Sequence, residues 1–442
     1  MRKMKDSRVE WIGDVPQNWR LIRIKACVSR RDSGAWGEEA TGKPGDCVCI
    51  RVADIDYDRL RLKDDLPRTY RNYEEKVIAS LKLADGDILI EKSGGGEKTL
   101  VGRAVMFRGT LQAVFANFME RIRCRDFVHS RFLLYVLAVL YQSGYIKNYI
   151  KQTTGIQNLD ISSMLSKEYL ALPPIVVQDR ITDYLDRKCS QIDAIIARQQ
   201  EVIERLKAYK LSVITEAVTK GLNPDVPMKD SGVEWIGKIP AHWENRKMIS
   251  ILSMRVVDGP HESPELYDEG IPYISATAIE NGKINFHLMR GYISEKYCDI
   301  CDFRYKPQLH DILVIKLGAS TGQVAIVETT DRFNIWVPLA AVRCNEKADP
   351  YFVYYAFQSD YFLKQMEMSW TYGTQQTLGV KSIERLRIML PTLEEQKEIA
   401  SYLKSKCDLI DAAVKNKENL IDKLVDYKKS LIYEVVTGKK EV

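Results

Sequence analysis

The chain has 442 residues, 45% hydrophobic and 28% charged, the balance of an ordinary soluble globular protein of about two to four domains. Its most apolar stretch, residues 132–140, is far too short to span a bilayer, and no apolar run of the secretory kind follows the first methionine. Nine cysteines, an odd number in a long chain, point to reduced thiols in a cytoplasm, and a net charge of +5 is too mild to establish a nucleic-acid partner by itself.

The chain opens on MKDSRVEWIGDVPQNW at residues 4–19 and repeats it as MKDSGVEWIGKIPAHW at residues 228–243, with 11 of 16 positions identical. A second echo relates residues 178–219 to residues 396–437, at an offset of 218. A solenoid repeat runs to a few tens of residues, so this period means two whole domains, each followed by the same helical segment. The boundaries expected are a first domain at 1–172, a helix at 173–222, a second domain at 223–390 and a second helix at 391–442.

Each variable region begins after the last tryptophan of its motif. Trp11, Trp19, Trp235 and Trp243 are expected to pin the entry strand against the domain. In the first region a strand at 86–90 leads to Lys92, Ser93, three glycines, Glu97, Lys98 and Thr99. In the second a strand at 311–315 leads to Lys316, Gly318, Ser320, Thr321 and Gly322. Apolar helices follow at 132–140 and 351–357. Each region ends on Gly-x-Gln, at 155–157 and 373–375, before a Leu-Pro that enters the long helix. The fold class read from this pattern is α+β, a mixed sheet with helices, twice over. Residues 20–173 hold 25 Lys+Arg against 19 Asp+Glu, whereas residues 246–391 hold 16 against 17. The first region alone has the basic balance of a nucleic-acid binder.

The helical segments carry no glycine or proline between 175 and 219. Apolar residues recur in steps of three and four at Leu185, Cys189, Ile192, Ile196, Ile203, Leu206, Val213 and Ala217. The second copy repeats them at Leu403, Cys407, Ile410, Val414, Ile421, Leu424, Leu431 and Val435. Polar residues interrupt both stripes at matching places, Gln199 and Lys210, then Lys417 and Lys428. A stripe this long predicts an antiparallel coiled coil between the two copies. Pairing about the helix centres would bring Gln199 near Lys417. Packing of each helix on its own domain, or on another protein, are the alternatives.

Catalytic and cofactor motifs fail in turn. The GGGEKT turn has Glu97 where a phosphate-binding loop needs glycine before its lysine. Cys298 and Cys301 have zinc-type spacing without a second pair. The five histidines form no metal or nucleophile signature. The polar segments fit recognition better. Gln152, Thr153, Thr154, Gln157 and Asn158 in the first region match Tyr372, Thr374, Gln375 and Gln376 in the second. Amides bond adenine edges bidentately; hydroxyls and lysines bond phosphate or guanine. The candidate DNA-contacting set is therefore these residues with Lys92, Ser93, Lys98, Thr99, Lys316, Ser320 and Thr321.

The doubled VEWIGxxPxxW motif and the LPxxxxQ helix entry, at residues 172–178 and 390–396, resemble the specificity (S) subunits of type I restriction–modification systems. The resemblance covers the whole length. It implies that each variable domain reads one half of a split double-stranded DNA site. It implies that the helices form an antiparallel spacer and dock modification subunits, two of them, which carry the S-adenosylmethionine chemistry. Restriction subunits with ATP and Mg²⁺ would join through that core. The chain itself would be a non-catalytic cytoplasmic recognition subunit with no cofactor and no membrane contact. Alternatives are a specificity subunit of a fused methyltransferase–nuclease, or a coiled-coil scaffold without DNA.

Overall fold

Both copies of the repeated motif fold as a two-stranded hairpin in the same register. Met4–Asp6 pairs with Asp14–Pro16, Met4 opposite Pro16. Met228–Asp230 pairs with Lys238–Pro240, Met228 opposite Pro240. In each, the aspartate accepts from the backbone two residues on, Asp6 from Arg8 N and Asp230 from Gly232 N, both at 2.8 Å. Such a side-chain turn fixes the hairpin locally, which is why the motif keeps its aspartate. This computed structural model describes residues 2–42, 44–57, 59–63, 68–96, 99–152, 155–372 and 376–442. The chain divides into two compact units: Met1–Gln199 with Asn419–Val442, and Gln200–Glu418.

The first unit has an antiparallel sheet in the order Ala104–Met106, Ile88–Glu91, Met119–Cys124, Val28–Ser33. A second sheet orders Ala113–Phe115, Asp46–Ile50, Tyr70–Asn72 and Glu38–Glu39, the first pair parallel. The second unit repeats the plan with Val324–Ile326, Ile312–Ile315, Leu339–Val342 and Val257–Asp258. Its mixed sheet is Gly291–Ile293, Ile271–Ile274 and Asn334–Ile335, the last pair parallel. The central strands are buried throughout. They therefore read as continuous apolar runs rather than alternating ones. The aspartate before each central strand takes a two-pronged arginine. Arg123 reaches Asp87 at 2.7 and 2.8 Å, and Arg343 reaches Asp311 at 2.7 Å twice. The α+β reading holds in both units.

The long helices are α1 (Ile175–Lys220) and α2 (Leu393–Val436). The glutamine of each LPxxxxQ entry is fully buried. Gln178 accepts from His129 N at 2.8 Å and donates to Phe127 O and Pro173 O at 3.1 and 2.9 Å. Gln396 accepts from Asp349 N at 2.8 Å and donates to Lys347 O and Pro391 O at 3.1 and 3.0 Å. One amide thus satisfies three backbone groups where chain and helix meet, and no other side chain offers that combination at that length. Each helix ends on a left-handed glycine, Gly221 at φ +73° and Gly438 at φ +75°, the usual stop.

The expected stripe is the inward face of both helices. Leu185, Cys189, Ile192, Ile203, Ala217, Leu403, Cys407, Ile410, Leu431 and Val435 are buried. Ile196, Gln199, Leu206, Val213, Val414, Lys417, Ile421 and Leu424 are half-buried. In the first unit Leu185 and Ile192 share a core with Leu431 and Val435, and Lys428 Nζ bonds Asp193 at 2.6 Å. In the second, Ile214 and Ala217 share a core with Ile399 and Leu403, and Lys210 Nζ bonds Asp411 at 2.6 Å. Both ion pairs obey one register, in which Gln199 stands level with Asp422 and Lys417 with Glu204. The centre-to-centre pairing expected of Gln199 and Lys417 is off by about five residues, roughly 7.5 Å along the axis.

The tryptophans divide. Trp11, Trp19 and Trp243 are buried, but Trp235 is 41% exposed, against the expectation that all four pin the entry strand. Trp11 Nε1 donates to Glu168 at 2.9 Å. The matching position in the second unit, read from the backbone bonds of Ile24 to Glu168 and Met248 to Leu386, is an apolar Leu386. A buried indole wants an acceptor, and Trp235 has lost its partner's equivalent.

Candidate nucleic-acid interface

In the first unit the polar segments flanking the glycine turn and Gly155 come together as a small sheet. Ser93–Gly94 pairs with Gln157–Leu159, which pairs with Ile150–Gln152. Ser93 Oγ donates to Asn158 Oδ1 at 2.7 Å, and Lys92 Nζ reaches Ser33 Oγ at 3.2 Å. Gln152, Asn158 and Thr99 are exposed. Gln157 is buried, and its amide closes the glycine turn: Oε1 accepts from Val101 N at 2.9 Å and Nε2 donates to Gly96 O at 3.1 Å. A Cβ on Gly95 would meet that amide at 2.8 Å, so the turn is shaped by Gln157 and needs glycine beneath it. Lys98, Thr153 and Thr154 lie outside the described residues.

Basic groups lie beside this edge that the sequence reading did not single out. Arg31, on Val28–Ser33, bonds Ser162 Oγ at 2.7 Å and pairs with Glu120. Burial pushes the Glu120 carboxyl above its ordinary value against the pull of Arg31 and Lys92. Phe118 is 51% exposed, and its carbonyl accepts from both Lys92 N and Ser93 N. It therefore stands at the foot of the glycine turn. An aromatic directly after an Ala-Asn turn was the only sequence signal for it, and such a signal is too common to single one out.

The second unit has the same layout with other side chains. Thr371–Tyr372 pairs with Gln376–Thr377; Gly318 N donates to Gln376 O at 3.1 Å and Leu378 N to Lys316 O at 2.8 Å. Ser320 is exposed and Gln376 half-buried. Thr321 is buried, its hydroxyl donating to Gly318 O at 2.6 Å. Lys316 is 6% exposed, paired to Asp258 at 2.9 Å. Arg304 and His261 bind the same carboxylate. Desolvation pushes Asp258 up, but Lys316 and Arg304 outweigh it and hold the carboxyl below its ordinary value. Thr374 and Gln375, and the side chain of Tyr372, lie outside the described residues.

Of the candidate set, then, Gln157, Thr321 and Lys316 direct their polar atoms into the chain, while Thr99, Gln152, Asn158 and Ser320 face solvent. Cys298 and Cys301 are buried on the helix Glu295–Arg304. Among the described residues no group of three or more His, Cys, Asp or Glu is placed to hold a metal, and no helix is long and apolar enough to cross a membrane.

The architecture is that of a tandem duplication, two α+β units of matching strand plan that each carry a polar strand edge. The family model described as "Type I restriction modification DNA specificity domain" matches residues 240–423. The chain is 26% identical over 410 residues to the putative type I restriction enzyme MjaX specificity subunit of Methanocaldococcus jannaschii, covering 90% of this chain and 89% of that protein. Its fold is similar to a chain in a solved type I R-M system, TM-score 0.71 at 14% identity, covering 96% of this chain and 99% of that one. It is also similar to the HsdS subunit from Thermoanaerobacter tengcongensis, TM-score 0.52 at 14% identity, covering 98% and 100%. Over most of its length the chain is similar to specificity subunits of type I restriction–modification systems, and residues 240–423 match their DNA specificity domain.

Proposed function

We propose that each unit reads one half of a split, asymmetric DNA site, and that α1 and α2 run antiparallel as the spacer between the readers. The observation that carries this reading is one ion pair made twice with its partners exchanged. Asp193 of α1 takes Lys428 of α2, and Asp411 of α2 takes Lys210 of α1. Asp193 and Asp411, like Lys210 and Lys428, are 218 residues apart, the offset of the helical repeat. An antiparallel pair with an internal two-fold relation makes such an exchange. Two readers on a two-fold frame suit a site in two parts, as symmetric readers suit paired half-sites.

Modification subunits, two of them, dock on the helices and carry S-adenosylmethionine. Restriction subunits carry ATP and Mg²⁺. The chain itself supplies recognition and no catalytic group. The likeness to a chain from a structure described in terms of type I R-M complex assembly supports the partner reading. Contacts to base edges are assigned to the solvent-facing Asn158, Gln152 and Ser320 and to the paired strands Thr371–Tyr372 and Gln376–Thr377, and contacts to phosphate to Lys92, Thr99 and Arg31.

The test replaces residues 244–390 with the matching region of another specificity subunit and sequences the methylated sites of a host expressing the complex. One half-site changes; the other half and the spacing persist. A change in both halves together sinks the reading.

A further inference from the structure

Four arginines of the first unit, Arg59, Arg61, Arg108 and Arg131, converge on a cavity of about 310 Å³ whose apolar wall includes Leu62 and Met106. The wall is built by the hairpin Ile55–Asp56 with Arg61–Leu62 lying against the edge strand Ala104–Met106. Arg131 enters from the first turn of the helix Ser130–Gln142. It is oriented by Asp186, Nε to Oδ1 at 2.5 Å, and Tyr135 donates to the same oxygen at 2.7 Å. Arg59 approaches Asp56 only at 3.9 Å and stays half exposed. Arg61 engages a further group of its own. Arg108 is exposed and, among the described residues, forms no ion pair. Guanidiniums gathered on one concavity repel one another, and an anion between them relieves that repulsion.

The duplication supplies a control. In the second unit the corresponding hairpin, Ile279–Glu280 with Lys283–Ile284, packs on Val324–Ile326, followed by the helix Pro350–Gln358. Phe107 N bonds Asp87 O and Val327 N bonds Asp311 O, so Glu328 stands where Arg108 stands. Tyr351 stands where Arg131 stands, and its hydroxyl donates to Glu328 at 3.3 Å. Tyr354 donates to Gly282 O at 3.1 Å and occupies the space under that turn. The second unit folds with Glu328 in place of Arg108 and Tyr351 in place of Arg131, while Lys283 keeps the positive charge of Arg61, so Arg108 and Arg131 are not a requirement of the fold.

We propose that this pocket binds a phosphoryl group, without making or breaking a bond. The guanidinium fork matches phosphate oxygens and holds its charge at every physiological pH. The N-terminal turn of the Ser130–Gln142 helix favours an anion at the same place. The apolar wall and the volume suit an organic body attached to the phosphate. The pocket lies at the Met106–Ile88 end of a strand whose Glu91 end leads to the glycine turn. Its occupant is therefore separate from whatever the polar hairpin edge touches. The phosphate comes from a free phosphorylated compound or from the backbone of a nucleic acid.

Two measurements on the full chain separate these sources. Inorganic pyrophosphate is titrated by calorimetry into the unsubstituted chain and into Arg108→Glu, which copies the second unit. The salt dependence of binding to a duplex of random sequence is measured for the same pair. Arg108 is exposed, so an unchanged melting temperature certifies the variant. A free ligand is indicated by pyrophosphate binding that weakens about tenfold or more in Arg108→Glu. A backbone phosphate is indicated by a salt slope that falls by about one. If pyrophosphate does not bind and the slope is unchanged, the proposal is overturned. Failure of the chain to bind DNA at all would remove the bipartite reading but leave the pyrophosphate arm standing.

Discussion

Lys428 donates to both carboxylate oxygens of Asp193, at 2.6 and 2.9 Å, with the two side chains only 14% and 20% exposed. The pair is shielded enough to matter more than a surface bridge, and its axial position is set by geometry rather than by apolar contact. Asp193→Lys is expected to lower the stability of the full chain by about 1–3 kcal/mol. The double variant Asp193→Lys with Lys428→Asp is expected to recover most of it. Urea midpoints check this; a double variant no better than the single one would mean the pair does not set the register.

Gln178 satisfies three backbone groups from one buried amide. Gln178→Ala leaves one donor and two acceptors without partners, each worth about 1–3 kcal/mol when buried. Some relaxation is expected, so the loss at this site is set at about 3 kcal/mol. Gln178→Glu should be nearly as damaging, since a carboxylate cannot donate to Phe127 O and Pro173 O. Thermal melting of both variants decides, and a wild-type melting point for either would refute the account.

Lys316 was read from sequence as a DNA contact, and it is instead enclosed with Asp258. Lys316→Ala leaves that carboxylate to Arg304 and His261 alone, at an expected loss of about 3 kcal/mol. If the side chain served only DNA, the variant would keep its stability and lose binding. Unfolding and duplex binding measured side by side separate the two roles.

Asp258 and Asp32 share a direction. Desolvation raises each, but hydrogen bonds and charge from Lys316 and Arg304 in one case, and from Arg121 and Arg30 in the other, leave both below the ordinary carboxyl value. A carboxyl depressed in the folded state stabilises fully above its unfolded value, about 3.9, and that contribution is lost as pH falls through the folded value. Stability from these two sites is therefore flat from neutrality to about pH 5 and declines below about pH 4. Asp258→Asn should lower stability at neutral pH and flatten part of the acid decline. An unchanged acid limb in that variant would exclude Asp258 as a source.

Local features were legible in the sequence. The hairpin motif carried its own turn aspartate, the helices their stripe and their terminal glycines, and the central strands their unbroken apolar runs. Long-range pairing was not. Gln157 meets Val101 and Gly96, which lie 56 and 61 residues away, so its spacing to Gly155 gave no hint that the amide faces inward. Asp258 meets Lys316, 58 residues away, across the intervening strand Leu339–Val342. The stripe identified which helix face is buried but not the axial offset, because a pattern of threes and fours tolerates sliding; Asp193 and Lys428 carry that information. Trp235 sits in the same motif as Trp11 and differs only because Leu386 replaces a glutamate on a distant strand boundary.

Inserting one heptad into α1 between Asp193 and Lys210 tests the frame against the readers. Seven residues extend the helix by about 10.5 Å and keep the apolar face in phase. Asp193 can still take Lys428, since both stay in the first unit, but Lys210 is carried past Asp411 and the second ion pair cannot form in the same register. The residues of both hairpin edges are untouched, so the bases preferred in each half-site should persist. What should change is the number of base pairs between the halves, or the ability of the complex to assemble. Sequencing the methylated sites of a host that expresses the variant with its modification partner reads both quantities at once. Altered base preference with unaltered spacing would show that the helices take part in reading and are not a spacer.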